Sequence, residues 1–282
     1  MKHFKRLLAL VLSLLLCLSA SACASDAPSV SALFLNVGKA DAALFFLGDQ
    51  TYLIDTGWKT SYETLASALS RYGVTRLDGV VITHGDKDHY GGLKPLLQSG
   101  FPVDRLYASP MTTEASPEAS VAYKRSQKYG VPLTWLSAGD ELRVDDSTWF
   151  EVLGPLTRDD TNENNNSLVL LLHTAEGDML LTGDMEREEE LALLAAGKLT
   201  QAAVLKVGHH GDDDATSQAL VSAVRPKLAI ISTSTVEEKD TPDPSVVKRL
   251  WNIGATVQVT QQAPLGLLVT LAGGEASCEK IQ

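Results

Sequence analysis

Short apolar runs alternate along the chain with polar or glycine-rich breaks, and their spacing predicts most of its elements. Ser31 to Asn36, Ala42 to Leu47 and Thr51 to Ile54 read as strands, with Gly48-Asp49-Gln50 placed as the turn of a hairpin between the last two. From Ser61 to Tyr72 the residues Leu65, Leu69 and Tyr72 recur at helical spacing, and Gly73 stands as the stop. Gly79 to Thr83 is a buried strand that runs into a polar, glycine-flanked cluster, His84 to Gly92. A helix is predicted over Pro117 to Tyr129, with short strands near Leu106, Leu133 and Trp149.

The second half repeats the scheme. Ser167 to His173 and Met179 to Thr182 flank a turn at Ala175 to Asp178, and Glu186 to Ala196 is a helix stopped by Gly197. Ala203 to Val207 and Leu228 to Ser232 are strands, and Thr216 to Val224 and Ser245 to Trp251 are helices. Thr256 to Thr260 and Leu265 to Leu271 are predicted as the final strands, leaving the C-terminus loose. A meander followed by strands alternating with helices, twice over, implies an α/β fold of two similar halves packed face to face. No linker divides it, so one domain over 31–282 is expected.

The N-terminus stands apart from this pattern. Lys2, Lys5 and Arg6 precede an apolar run from Leu7 to Leu18 and then small residues, so 1–22 reads as a signal peptide that is too short to span a bilayer. Ala20-Ser21-Ala22-Cys23 is similar to a bacterial lipobox, which makes Cys23 the lipidated mature N-terminus and 23–30 a tether; plain cleavage after Ala22 or Ala24 is the alternative. Either way the protein is expected outside the cytoplasm, lipid-anchored to the outer face of the cytoplasmic membrane or secreted. Without 1–22 the chain carries 21 basic and 35 acidic residues, a net charge of −14. Broad electrostatic capture of nucleic acid or anionic lipid is thereby excluded, and an anionic substrate must be held locally. Beyond Cys17 and Cys23 the sole thiol is Cys278, so no internal disulfide is available.

The densest chemistry is Thr83-His84-Gly85-Asp86-Lys87-Asp88-His89-Tyr90-Gly91-Gly92, four candidate metal ligands within six residues at the end of an apolar strand. His84 and Asp86, two apart in extended backbone, point the same way and can converge on one ion. The following turn aims Asp88 and His89 at a second, and Gly85, Gly91 and Gly92 are expected to let the backbone bend.

This loop resembles the metal signature of the metallo-β-lactamase fold hydrolases, His-x-His-x-Asp-His, with Asp86 in place of the second histidine. The same change typifies one branch, the C-terminal extracytoplasmic domain of the ComEC competence-channel proteins and its stand-alone relatives. The branch is similar to this chain again at Asn36 to Asp41, Leu53 to Gly57, Asn166 to Leu170, Leu181 to Asp184 and Leu205 to Gly211, in order. The resemblance implies a four-layer αββα sandwich with the site at the lip between its sheets. It implies two divalent ions, zinc or manganese, and no nucleotide cofactor. It makes Asp184 the carboxylate bridging both ions, where local sequence alone equally allows a helix N-cap.

His209 and His210 point in different directions, so one is expected to bind metal and the other to face substrate or donate a proton, with the choice open. Lys206 is either a snorkelling surface lysine or a phosphate contact. Asp41 and Asp55 are expected to brace ligands or turns, and Asn166 and Ser167 to line the site. Asp212-Asp213-Asp214, where relatives often continue with Ser, reads as a solvated cap for the helix near Thr216 and crowds the mouth with negative charge. Relatives often carry a His-Pro where this chain has Asp243-Pro244.

The expected chemistry is hydrolysis by metal-bound hydroxide, with Asp88, His209, His210 and Lys206 as the candidate catalytic set. The resemblance favours phosphodiesters, with an exported nuclease acting on single-stranded DNA first. A phosphorylcholine-type esterase or other small-ester hydrolase and a non-catalytic surface binding lipoprotein are the alternatives. β-Lactamase activity rests on fold name alone.

Overall fold

The computed structural model describes residues 30–282; the expected signal peptide, Cys23 and nearly all of the tether lie outside the described residues. Two sheets form the centre. The first has eight strands in the order β15-β14-β1-β2-β3-β4-β5-β6, and the second has seven in the order β13-β12-β11-β10-β9-β8-β7. In the first sheet β1 (Val30–Leu35), β2 (Ala43–Leu47) and β3 (Gln50–Ile54) form the antiparallel meander, and β4 (Gly79–Ile82), β5 (Leu106–Ala108) and β6 (Leu133–Trp135) extend it in parallel. In the second, β7 (Glu141–Arg143), β8 (Trp149–Gly154), β9 (Val169–His173) and β10 (Met179–Leu181) are antiparallel. Strands β11 (Val204–Lys206), β12 (Leu228–Ile231) and β13 (Thr256–Val259) continue it in parallel. Strands β14 (Gly266–Ala272) and β15 (Glu275–Ile281) close the far edge of the first sheet.

Side-chain alternation along each strand sorts the core into three layers. Ala32, Phe34 and Phe45 meet Phe150, Leu170 and Leu181 between the sheets. Leu33, Leu35 and Leu44 face outward onto helices α1 (Tyr62–Arg71) and, beyond the His84 to Gly92 loop, a helix over Leu93–Gln98. Val169, Leu171 and Leu205 face helices over Arg187–Ala195, Gln218–Val224 and Pro244–Asn252. Strands buried on both faces must read as continuous apolar runs, which is why the period-2 signal is weak here and the runs are dense. The result is the αββα sandwich expected.

The departures have local causes. The sequence pattern places no element at the helix Leu93–Gln98, and its Pro95 sits in the first turn, where the missing N–H has no partner to lose. Pro117 to Tyr129 is a 3₁₀ turn followed by the helix Val121–Tyr129, whose start is capped by the Ser120 hydroxyl accepting from Tyr123 N–H. Strand β7 lacks an apolar run. The loose C-terminus is corrected: β15 pairs with β14 along its whole length, and Cys278 lies opposite Val269. Its charged residues are those of a protected edge strand, which masks the signal.

Candidate metal centre

Strands β4, β10 and β11 end at one lip of the sandwich, where the Leu168 N–H donates across the two sheets to the Thr83 carbonyl at 2.9 Å. Around this lip Asp88, His89, Asp184 and His210 each bring a ligand atom within 4.8 Å of the others. Asp88 and His89 lie on a single-turn helix, α2 (Lys87–Tyr90), which follows directly on the extended Asp86. Asp184 follows β10, with its backbone N–H bonded to the Ser167 hydroxyl at 3.1 Å. His210 takes a left-handed backbone, φ 54°, which turns its side chain inward from the exit of β11.

The orientation of three imidazoles decides what this cluster can hold. His89 Nδ1 is 2.8 Å from the Asp55 carboxylate, and His210 Nδ1 is 2.9 Å from the Ser232 carbonyl. Both acceptors lack a proton, so each Nδ1 donates and each Nε2 keeps a lone pair. His84 follows the same logic: the Thr83 hydroxyl donates to Asp55 at 2.7 Å and can then only accept from His84 Nδ1 at 3.1 Å. The Nε2 lone pairs of His89 and His210 face Asp184 Oδ2 at 3.1 and 3.2 Å, and His210 Nε2 also faces Asp88 at 3.2 Å. Lone pair against carboxylate is repulsive unless a cation or a second proton lies between. His84 Nε2, His89 Nε2 and Asp184 Oδ1 are moreover buried without any hydrogen-bond partner among the described residues. Three orphaned metal-ligand atoms in one place fit divalent ions.

Without a metal, protons serve instead. Burial would depress both imidazoles, but Asp184 and Asp55 hold His89 well above its ordinary pKa, and Asp184, with Asp88 and Asp41, pushes His210 up to about 9. Burial likewise works against ionised Asp184, and His210 and His89 override it to hold the carboxyl well below its usual range.

The remaining expected residues are placed as follows. Asp86 Oδ2 is 3.7 Å from His84 Nε2, so these two form an adjacent pair beside the four-group cluster, with the Asp86 side chain half exposed. Asp184 caps no helix; Glu186 occupies that position. His209 points away from His210's cluster, with Nδ1 2.9 Å from Asp214 and Nε2 3.3 Å from the Asn164 amide. Lys206 is neither snorkelling nor at the surface: it is only 4% exposed, with Nζ 2.8 Å from Asp41 and donating to the Val207 carbonyl. Asp41 thus neutralises a buried lysine, and its N–H bonds the Asp88 carbonyl at 3.2 Å. Ser167 steadies Asp184, whereas Asn166 braces its own loop through Asp159.

Two further expectations are corrected. The three aspartates do not cap the helix Gln218–Val224, because the Ser217 hydroxyl does; Asp212 pairs with Lys39 and Asp214 with His209. Gly91 and Gly92 make no sharp bend, with φ near −56° and −75°; a Cβ on Gly92 would lie 2.2 Å from the Thr56 carbonyl oxygen, so close approach is what demands glycine. Asp243 caps the helix Pro244–Asn252 through the Ser245 N–H at 2.7 Å. Sequence reasoning missed Thr83, the Ser232 carbonyl and Glu163, which accepts from the backbone N–H of Gly85 and Thr113. A lone threonine, a carbonyl and a loop glutamate leave no motif to find.

The chain belongs to the Metallo-beta-lactamase superfamily, whose model matches residues 35–235. It is 32% identical over 226 residues to ComE operon protein 3 of Bacillus subtilis, covering 74% of this chain and 29% of that one. It is 30% identical over 233 residues to Recombination protein 2 of Haemophilus influenzae, covering 80% of this chain and 27% of that one. The chain therefore spans less than a third of the length of these relatives. Among solved structures it is similar in fold to YhfI from Bacillus subtilis, with TM-score 0.58 and 13% identity over 86% of this chain and 99% of that one. CmlA of Streptomyces venezuelae, a diiron β-hydroxylase, shares the fold with TM-score 0.60 and 15% identity over 85% of this chain and 54% of that one.

Asp55→Asn removes the charge behind His89 while keeping the size, and is expected to weaken metal affinity by about 10- to 100-fold in competition with a fluorescent chelator. In metal-free protein, His210 raised to about 9 contributes stability that is complete below roughly pH 6.5 and lost as pH rises through its folded value. Thermal melts are expected to fall between pH 6.5 and 9 without metal and to lose most of that dependence with manganese or zinc bound.

Proposed function

We propose that this chain is an exported, metal-dependent phosphodiesterase, most specifically a nuclease for single-stranded DNA. The observation that carries the reading is the convergence of Asp88, His89, Asp184 and His210 with their lone pairs facing inward, beside the His84 and Asp86 pair. The likeness to ComE operon protein 3 and Recombination protein 2 supports the phosphodiester class over other esters. Two divalent ions, zinc or manganese, would be held by these six residues and would supply Lewis-acid stabilisation of charge and an acidified water.

The chain's own residues do the remaining work. Asp55 and Ser232 fix the imidazole tautomers, and the buried Lys206–Asp41 pair offsets charge behind the site without reaching substrate. His209, partly exposed and hydrogen-bonded to Asp214, is the group at the mouth suited to return a proton to the leaving oxygen. Lys39 lies on the same lip, tied to Asp212 and Glu238. Export and a lipid anchor at Cys23 complete the reading and place the reaction at the outer face of the membrane.

With manganese or zinc supplied, purified protein is expected to hydrolyse single-stranded DNA and an aryl phosphodiester, and Asp88→Ala to lower the rate by about 10³-fold or more. Turnover of a choline phosphodiester alone would favour the small-ester reading, and full metal loading without hydrolysis of any ester would favour a binding module. For the anchor, Cys23→Ala is expected to move the protein from the membrane fraction to the medium; an unchanged distribution would contradict lipidation.

A further inference from the structure

The metal loop has a second face. Residues 87, 90 and 94 fall on one side of the helical path that runs from α2 through Gly91 and Gly92 into the helix Leu93–Gln98, while Asp88 and His89 point to the other side and the metal centre. On that outer side, Lys87, Tyr90 and Lys94 line a cleft of about 250 Å³ with Trp58, Lys59 and Arg125. Lys59 comes from a 3₁₀ turn whose backbone N–H packs against Gly91, so closely that a Cβ there would lie 2.5 Å from it. Arg125 comes from the helix Val121–Tyr129.

Three observations describe this cleft. No carboxylate among the described residues lies within ion-pair distance of Lys59, Lys87, Lys94 or Arg125, although the protein is strongly acidic; Lys39 and Lys206 beside the metal centre are both committed to carboxylates. Two aromatic side chains, Trp58 and Tyr90, lie among the four cations, and the Trp58 indole N–H is fixed on the Lys39 carbonyl at 3.0 Å. Tyr90 also lines the neighbouring cavity that contains His84 and Glu163, so one side chain borders both the cationic cleft and the metal loop. Unpaired cations beside aromatic faces are how single-stranded nucleic acids are held without sequence preference.

We infer that the cleft lined by Trp58, Lys59, Lys87, Tyr90, Lys94 and Arg125 binds the phosphate backbone and bases of a single-stranded nucleic acid flanking the metal centre. It supplies the local cationic hold that an acidic protein needs for a polyanion. The inference deepens the phosphodiesterase reading and rests on it for the identity of the chain bound, but its test does not need turnover.

The test measures binding of a fluorescent oligothymidylate to full-length protein in chelator, where hydrolysis cannot occur, as a function of salt. A triple variant, Lys59→Gln, Lys94→Gln, Arg125→Gln, avoids the residues next to the metal ligands. It is expected to bind about tenfold or more weakly, with the salt slope reduced by about 2, the value for three phosphate contacts on a single strand. A control triple with the same charge loss elsewhere, Lys198→Gln, Lys248→Gln, Lys280→Gln, is expected to bind like the parent. Equal losses in both triples, an unchanged cleft triple, or no oligonucleotide binding by the parent would overturn the inference. So would loss of binding to phosphatidylglycerol vesicles with oligonucleotide binding intact, which would assign the cleft to a lipid headgroup. If no phosphodiester is hydrolysed but the cleft triple alone loses oligonucleotide, the cleft stands and the enzymatic reading fails.

Discussion

The structure turns on one constraint: three imidazoles whose Nδ1 protons are spent outward, leaving Nε2 lone pairs aimed inward. Asp55 and the Ser232 carbonyl fix two of them directly, and Thr83 fixes His84 by donating its hydroxyl hydrogen bond to Asp55, which leaves its oxygen to accept from His84 Nδ1. A folded chain that buried these lone pairs against Asp184 with nothing between would carry a standing electrostatic penalty. Protons relieve it in the metal-free protein, where the neighbouring carboxylates hold His89 and His210 above their ordinary pKa, and divalent ions relieve it better because they satisfy carboxylates and imidazoles together.

The sandwich exists to make that convergence possible. The candidate metal ligands come from loops after β4 in one sheet and β10 and β11 in the other, and the inter-sheet layer from Phe34 and Phe45 to Phe150 and Leu170 sets their separation. Close backbone contact does the fine positioning: the Thr56 N–H and hydroxyl both bond the His89 carbonyl, and Gly92 packs on Thr56. The buried Lys206–Asp41 pair joins the two halves beneath the site. Charge is partitioned accordingly, with carboxylates and their partners at the lip and four unpaired cations behind α2.

Much of this was legible in the sequence because it is local. The strands announce themselves as apolar runs, and His84, Asp86, Asp88 and His89 stand close enough in the chain to be read as one loop. What was not legible depends on distant partners. Whether His209 or His210 turns inward is decided by two left-handed residues and by Ser232, and the fate of Lys206 by Asp41 in the other half. Strand β15 was hidden by its own edge chemistry. Gly85 lies in a bend as expected, whereas what Gly92 grants is proximity to Thr56 and not a bend.

The central claim is that the inward lone pairs are metal ligands. Anomalous diffraction from crystals soaked in manganese or zinc tests it most directly. The account predicts ion density in coordination contact with Nε2 of His89 and His210 and with Asp184, while Nδ1 of each imidazole keeps its outward partner. A metal-saturated crystal with no anomalous peak among those groups, or with His89 and Asp184 joined by a direct hydrogen bond, would contradict it.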